Sequence, residues 1–379
     1  MICLNQKGKV FTVVIISVLI LSSFAVNLTL YYLLDENENS LEYSEGWWVG
    51  NPVDFGFDES KLEMAYNWAD YQDYMRSVLI VRHGVLVAEW YFNDGARHNA
   101  FHIHSSSKSF MSALIGIAHE LDYIPNLDQK MMAYFPEYEY LNLNSWKYDI
   151  TIRHLLQMKA GLEFNDSAEA WNEYAGSPDW VKYALELPKG HDPGEDWSYS
   201  TAQTNLLSVI LTKATGMSTK EFADSYLFGP LDIEIAHWTQ DPQGYYTGGH
   251  EMYFTPRDMA RFGLLYLNNG TLDNTEIVPK DWVLDSVENY EYGNRIESIF
   301  HNMPFSSAGY GYQWWTFTFS GHFCYMTRGC SGQMIYCIPS LDLVVVTTAI
   351  GNVQQPETYD QIMYLDNFMA FQICPAIIL

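Results

Sequence analysis

An uncharged, strongly apolar run from Val10 to Leu34 opens the chain, with Lys7 and Lys9 before it and Asp35, Glu36 and Glu38 after it. Such a run exceeds the ~20 residues a helix needs to cross a bilayer. The basic flank on its N-terminal side predicts that this end stays inside and the remainder lies outside the cytoplasm. A cleaved signal peptide is the other reading, with Ser23 and Ala25 as its small residues. The length favours an uncleaved membrane anchor over residues 10–34, because signal peptides carry apolar regions of only ~7–15 residues. Residues 35–54 read as a linker, acidic at first and then carrying Trp47-Trp48.

Periodic segments begin after the linker. Asp58 is placed to cap a helix reaching about Tyr71, with Leu62, Ala65, Trp68 and Ala69 at helical spacing. Ser77–Arg82 and Val85–Phe92, split by His83-Gly84, predict a β-hairpin. Near the other end, Gln313–Phe319, Phe323–Thr327, Gln333–Ile338 and Leu343–Ala349 read as strands, punctuated by Gly321, the Gly329–Gly332 segment and Pro339-Ser340. Glu357–Gln372 reads as a closing helix, and residues 105–290 as mainly helical. The expected fold class is α+β, an α/β/α sandwich over residues 55–379. Its antiparallel sheet comes from both ends of the domain (55–104 and 291–379), with a helical lobe (105–290) inserted between. No internal repeat or low-complexity tract interrupts this pattern.

Composition sharpens the picture in two places. The chain has 48% hydrophobic and 17% charged residues over its 379, so it has the material for a large folded domain or two coupled lobes. Twenty basic against 46 acidic residues leave a net charge of −26, which excludes nucleic acid and anionic lipid surfaces as partners. Of the five cysteines, Cys3 would lie inside and Cys324, Cys330, Cys337 and Cys374 outside, where disulfides are permitted. Cys324 and Cys337 would face each other if their strands pair with Thr327 opposite Met334. A bridge and two free buried thiols both remain open.

The chemistry concentrates in three segments. Ser105-Ser106-Ser107-Lys108 is an S-x-x-K motif followed by an apolar helical face through Leu121. Residues i and i+3 of a helix share one side, so the Lys108 amine can reach the Ser105 hydroxyl. A serine hydroxyl needs a neighbouring base to become a nucleophile. A lysine at a helix N-terminus and partly desolvated has its charged form disfavoured, which suits it to that task. Only Ser105 of the three serines has a lysine at +3. The second segment is Trp197-Ser198-Tyr199-Ser200-Thr201, set up by the Pro193-Gly194 turn and leading into a helix. Tyr199 can present its phenol to a cleft and share a proton with a nearby lysine. Tyr292-Gly293-Asn294 fits a Y-x-N pattern but lacks the turn and the helix. The third segment, Met326–Gln333, lies between two strands. Gly329 and Gly332 allow close backbone approach to a ligand, and the amide of Cys330 could join that of Ser105 in an oxyanion hole.

The order of these segments resembles the superfamily of serine β-lactamases, DD-peptidases and family VIII esterases. The likeness spans roughly residues 53–373 and is closest to the branch that includes class C-like esterases and 6-aminohexanoate-dimer hydrolases. It is carried also by Ser77–Gly84, Ile152–Leu156 with Gly161-Leu162, Thr255–Ala260, Tyr310–Trp315, and Gly332-Gln333 before Pro339 and Leu343–Val346. The resemblance implies Ser105 as the acylated nucleophile, Lys108 and Tyr199 as the proton-transfer pair, and the strand at Gly329 as the substrate edge. It implies no metal and no organic cofactor.

Two departures bear on the substrate. Penicillin-directed relatives carry Lys or His, then Thr or Ser, then Gly in the third motif; here Thr327-Arg328-Gly329 stands there. The tyrosine motif, which ends in Asn in relatives, ends here in Thr201. Both suit an esterase or amidase acting on a small-molecule or peptide-like substrate. A β-lactamase or DD-carboxypeptidase is the alternative enzyme, and a non-catalytic binding scaffold the alternative of another class. His102-x-His104 reads as structural, without the H-E-x-x-H spacing of a zinc site, and G-x-S-x-G is absent. Trp171 and Trp180 are expected to fill the helical lobe, with covering the cleft as the alternative.

Overall fold

The computed structural model describes residues 41–290, 296, 300, 303–351 and 357–378, with the backbone alone at 357–360. The apolar run 10–34 and the Tyr292-Gly293-Asn294 decoy lie outside the described residues. Among the described residues, no helix is long and apolar enough to cross a membrane.

The strands in chain order are β1 (Glu42–Ser44), β2 (Trp47–Val49), β3 (Met75–Arg82), β4 (Val85–Tyr91), β5 (Phe101–His102), β6 (His237–Trp238), β7 (Met252–Phe254), β8 (Thr271–Leu272), β9 (Thr275–Glu276), β10 (Ser306–Tyr310), β11 (Trp315–Phe319), β12 (His322–Gly329), β13 (Gln333–Ile338) and β14 (Leu343–Ala349). The main sheet runs β1-β2-β4-β3-β14-β13-β12-β11-β10, so strands from the C-terminal part of the chain join those from its N-terminal part, as expected of a sheet built from both ends. The sheet is mixed, not wholly antiparallel. β2 lies parallel to β4 through Val49 and Leu86. The hairpin β1–β2 also corrects the linker assignment, because Trp47 is buried and ties this segment to the sheet. In the inserted lobe, β5, β7 and β6 form a small sheet of their own, and β8 and β9 a hairpin.

Both faces of the central strands are covered, which is why they read as near-continuous apolar runs. Leu79, Val81, Ile335, Cys337, Val344 and Val346 face one core, and Val78, Ile80, Met334, Tyr336, Ile338 and Val345 face the other. The first core is shared with helices α2 (Ser107–Glu120), α3 (Thr201–Thr215) and α4 (Pro256–Leu267), and the second with α1 (Glu59–Asp70) and α5 (Glu357–Phe368). Asp58 caps α1 by accepting from the Lys61 amide at 3.0 Å. His83 and Gly84 both adopt positive φ, the mirror-image turn that matches strand twist. The closing helix is α-helical only to Phe368 and continues as a π turn over Met369–Ile373. Gln313 does not open a strand. Its backbone is left-handed and its buried amide donates to the carbonyls of Leu155 and Leu156 at 3.0 and 2.8 Å.

The β12–β13 register differs from expectation by one residue. Thr327 pairs with Ile335, and Cys337 pairs with Tyr325. A one-residue slip turns a side chain to the other face. Cys324 therefore lies in the core beneath α1 and α5, Cys337 in the core beneath α4, and both are free thiols.

Candidate active site

The serine cluster sits where a strand becomes a helix. β5 pairs with β7, the Ile103 amide donates to the Met252 carbonyl at 2.9 Å, and His104 turns the chain with φ 49°. A 3-10 turn over His104–Ser106 then runs into α2. The three serines separate by their partners. Ser106 Oγ donates to the Gln333 carbonyl at 2.7 Å and accepts from Thr327 Oγ1 at 2.9 Å, while Ser107 Oγ donates to the His104 carbonyl at 2.7 Å. Both are buried and committed to the fold. Ser105 is half-buried, and its Oγ lies 3.0 Å from Lys108 Nζ.

Lys108 is buried, with 1% of its surface exposed. Its amine also donates to Thr201 Oγ1 and to the Gly249 carbonyl, both at 2.9 Å. Burial pushes its pKa down to about 8, against an opposing pull from the nearby Asp166 carboxylate. Asp166 accepts from the Thr201 amide at 2.9 Å and also from the Thr201 hydroxyl, so Thr201 links the carboxylate to the lysine. Its own pKa is raised by burial and pulled back by Lys108 and Thr201. Thr201 thus fills the place where the tyrosine motif ends by accepting from the lysine.

Tyr199 approaches from the loop before α3, whose cap is Ser200. The Ser198 amide donates to the Met158 carbonyl at 2.8 Å, and Gln203 Nε2 donates to the Ser198 carbonyl at 3.1 Å, which fixes the loop. The Tyr199 ring stacks on Trp315 at 5.7 Å between centroids, and Lys108 Nζ lies 4.9 Å from its centroid. Its hydroxyl is hydrogen-bonded to Ser105. Burial raises the phenol pKa well above its ordinary value, with Asp166 adding to the effect, so Tyr199 is a neutral phenol at physiological pH.

Gly329 ends β12 beside the serine turn. A Cβ there would sit 2.3 Å from the Ile103 carbonyl oxygen, so the close approach that requires glycine is to the chain's own backbone. Cys330 begins the tight turn to β13, is half-buried, and lies near enough to Tyr199 to act on its phenol electrostatically. Arg328 leaves β12 on the face opposite Thr327, where its guanidinium pairs with the wholly buried Asp366 at 2.7 Å and its charge still reaches the Tyr199 phenol, pulling that pKa down against the effect of burial. Tyr336 donates to the same carboxylate at 3.0 Å. The third motif thus offers the serine no free cation: Thr327 is bonded to Ser106 and Arg328 to Asp366.

The structure brings the segments at Ser105, Lys108, Tyr199 and Gly329–Cys330 together. Asp166, Asn205 and the Gly249 carbonyl were not anticipated. Asp166 lies in an Asn-Asp-Ser stretch that reads as ordinary loop, and only the Gly248-Gly249 pair signals a backbone packed against something. His102 and His104 pack with ring centroids 3.8 Å apart at a 37° tilt, and His102 Nε2 accepts from the Glu251 amide at 3.0 Å. Among the described residues, no group of His, Cys, Asp or Glu is arranged to hold a metal ion. Trp171 and Trp180 pack on Tyr174 and His250 within the helical lobe.

Comparison with known proteins identifies the family and the fold. A 6-aminohexanoate-dimer hydrolase of Paenarthrobacter ureafaciens is 25% identical over 287 residues, covering 71% of this chain and 70% of that protein. Among solved structures, the octameric penicillin-binding protein homologue from Pyrococcus abyssi superposes with a TM-score of 0.63 at 19% identity, covering 84% of this chain and 79% of the other. EstCE1, a hydrolase with promiscuous acyltransferase activity, superposes with a TM-score of 0.63 at 16% identity, covering 82% and 99%. The Beta-lactamase family model matches residues 70–364, and the chain belongs to that family.

Proposed function

We propose that this protein is a serine hydrolase that cleaves an ester or amide of a small-molecule or peptide-like substrate through an acyl-enzyme on Ser105. The observation that carries the reading is the collar around Lys108. Gly249 contributes a carbonyl, which only accepts, and Thr201 Oγ1 donates its proton to Asp166. A neutral amine therefore spends its two N–H bonds on Gly249 and Thr201, and its lone pair is left for the Ser105 proton. Ser105 Oγ attacks the substrate carbonyl as Lys108 takes that proton, and a C–O bond forms while the carbonyl π bond opens to an oxyanion. The amides of Ser105 and Cys330 are the proposed donors to that oxyanion. Tyr199 gives its proton to the departing alcohol or amine as the scissile bond breaks, and recovers one through Lys108. Water then repeats the sequence on the acyl-enzyme and releases the acid.

An ester or amide without a required carboxylate is favoured over a β-lactam, since the Arg328 guanidinium is already committed to Asp366. The relative named for hydrolysis of a 6-aminohexanoate dimer supports amide cleavage within this fold. Residues 10–34 would hold the domain on the outer side of a membrane.

A panel of p-nitrophenyl butyrate, short linear amides and nitrocefin, with labelling by a fluorophosphonate, tests the assignment. Turnover of the ester or an amide, lost in Ser105→Ala together with the label, is the expected result. Equal labelling of wild type and Ser105→Ala overturns the nucleophile. Turnover of nitrocefin alone replaces the substrate class.

A further inference from the structure

We infer that Asn205 is a positioning residue for the activating lysine, acting through the backbone of Gly248-Gly249. The inference rests on the proposed role of Lys108. Thr201 and Asn205 are four residues apart in α3, hence on one face of that helix. Thr201 touches Lys108 directly. Asn205 does so at one remove: its buried Oδ1 accepts from the amides of both Gly248 and Gly249, at 2.8 and 2.9 Å. Its Nδ2 donates to the hydroxyl of the wholly buried Tyr174 at 2.9 Å, which sets which end of the amide is the acceptor.

The consequence lies in the next atoms of the chain. Two amides converging on one oxygen leave little freedom to the Gly249 peptide, whose carbonyl is aimed at Lys108 Nζ at 2.9 Å. A Cβ at Gly249 would lie 2.8 Å from Thr201 Cγ2 and 3.4 Å from Lys108 Nζ, so the loop is pressed against the lysine itself. An apolar residue at 205 would orphan two buried N–H groups, which no longer tolerate that placement. With the carbonyl displaced, the amine has one acceptor fewer and its lone pair is no longer confined toward Ser105.

The titratable groups facing Lys108 are Asp166, His104, His250 and Tyr199. Burial keeps His250 neutral and pushes His104 down to about 3, and it keeps Tyr199 protonated, so Asp166 is the charge the lysine meets. A carboxylate at 205 would add a second.

The rate of fluorophosphonate labelling of the full chain, followed from pH 6 to 10, reads the effect without knowledge of the substrate. In wild type the rate rises with pH to a plateau. Asn205→Leu, similar in size, lowers the plateau by at least tenfold, within the range of a displaced general base. Asn205→Asp keeps the accepting oxygen, so its plateau stays within about threefold of wild type while its midpoint moves to higher pH. A folded Asn205→Leu chain that labels at the wild-type rate throughout overturns the inference. Should the leucine variant fail to fold, an aspartate variant with an unmoved midpoint does the same. If wild type does not label, or labels as well in Ser105→Ala, the hydrolase reading itself falls and this one with it.

Discussion

Lys108 Nζ stands 3.0 Å from Ser105 Oγ, and the lysine that makes this contact is buried with only 1% of its surface exposed. Such burial is unfavourable for an ammonium ion and is retained here because the amine has three oxygen partners. The sign of its effect on stability follows. The folded pKa, about 8, lies below the unfolded value, so the unfolded chain binds more protons between these limits. The cost of burying Lys108 is complete below pH 8 and fades as the pH rises toward the unfolded pKa.

Activity should have the matching dependence. The rate of acylation should rise with pH through a midpoint near 8, where Lys108 becomes neutral. Lys108→Ala should lower it by a factor on the order of 10² to 10⁴ and remove that ionisation. The pH profile of kcat/KM on an ester checks this. A midpoint that survives in Lys108→Ala assigns it to another group.

Asp166 opposes the lowered lysine pKa. Asp166→Asn keeps an acceptor for the Thr201 amide but removes the charge, so the midpoint should move to lower pH. A profile that stays in place, or moves upward, shows that the carboxylate does not act on Lys108.

Tyr199→Phe keeps the ring over Lys108 and its stack on Trp315, and removes only the hydroxyl. If the phenol protonates the leaving group, amide cleavage should fall far more than cleavage of a p-nitrophenyl ester, whose leaving group departs unprotonated. The ratio of kcat/KM for the two substrates is the measurement. An equal loss on both would place Tyr199 in positioning alone.

Arg328 and Asp366 form a buried pair with side-chain exposures of 11% and 0%. Arg328→Ala should cost about 3–5 kcal/mol by leaving the carboxylate uncompensated. An unpaired Asp366 has its pKa raised, so the folded chain binds the extra proton and the deficit grows as pH rises from 4 to 7. Thermal unfolding across that range checks it.

Gly329→Ala should be damaging despite its size. The added methyl would meet the Ile103 carbonyl at 2.3 Å, two residues before the nucleophile. We expect a loss of about 1–3 kcal/mol together with reduced labelling of Ser105. A variant that unfolds like wild type and labels normally would show that the turn yields without consequence.

Much of this was legible in the chain itself, for local reasons. The contact of Ser105 with Lys108 follows from i, i+3 spacing where a 3-10 turn runs into α2. The strands β3, β4, β13 and β14 were readable from β-rich runs bounded by His83-Gly84 and Pro339-Ser340, and Asp58 as a cap from its place before a periodic segment. Tertiary structure decided what depends on distant partners. The segment 42–49 reads as polar linker, yet Trp47 finds a buried place on the edge of the sheet. The face chosen by Arg328, and the separation of Cys324 from Cys337, turn on a register that shifts with one residue in the Cys330–Gly332 turn. Asp166, Asn205 and the Gly249 carbonyl are scattered through the helical lobe, and no spacing in the sequence announces that they meet. A helical repeat propagates over a few residues and is written in the chain. The field and hydrogen bonds that set the pKa of a buried lysine come from whatever the fold packs around it.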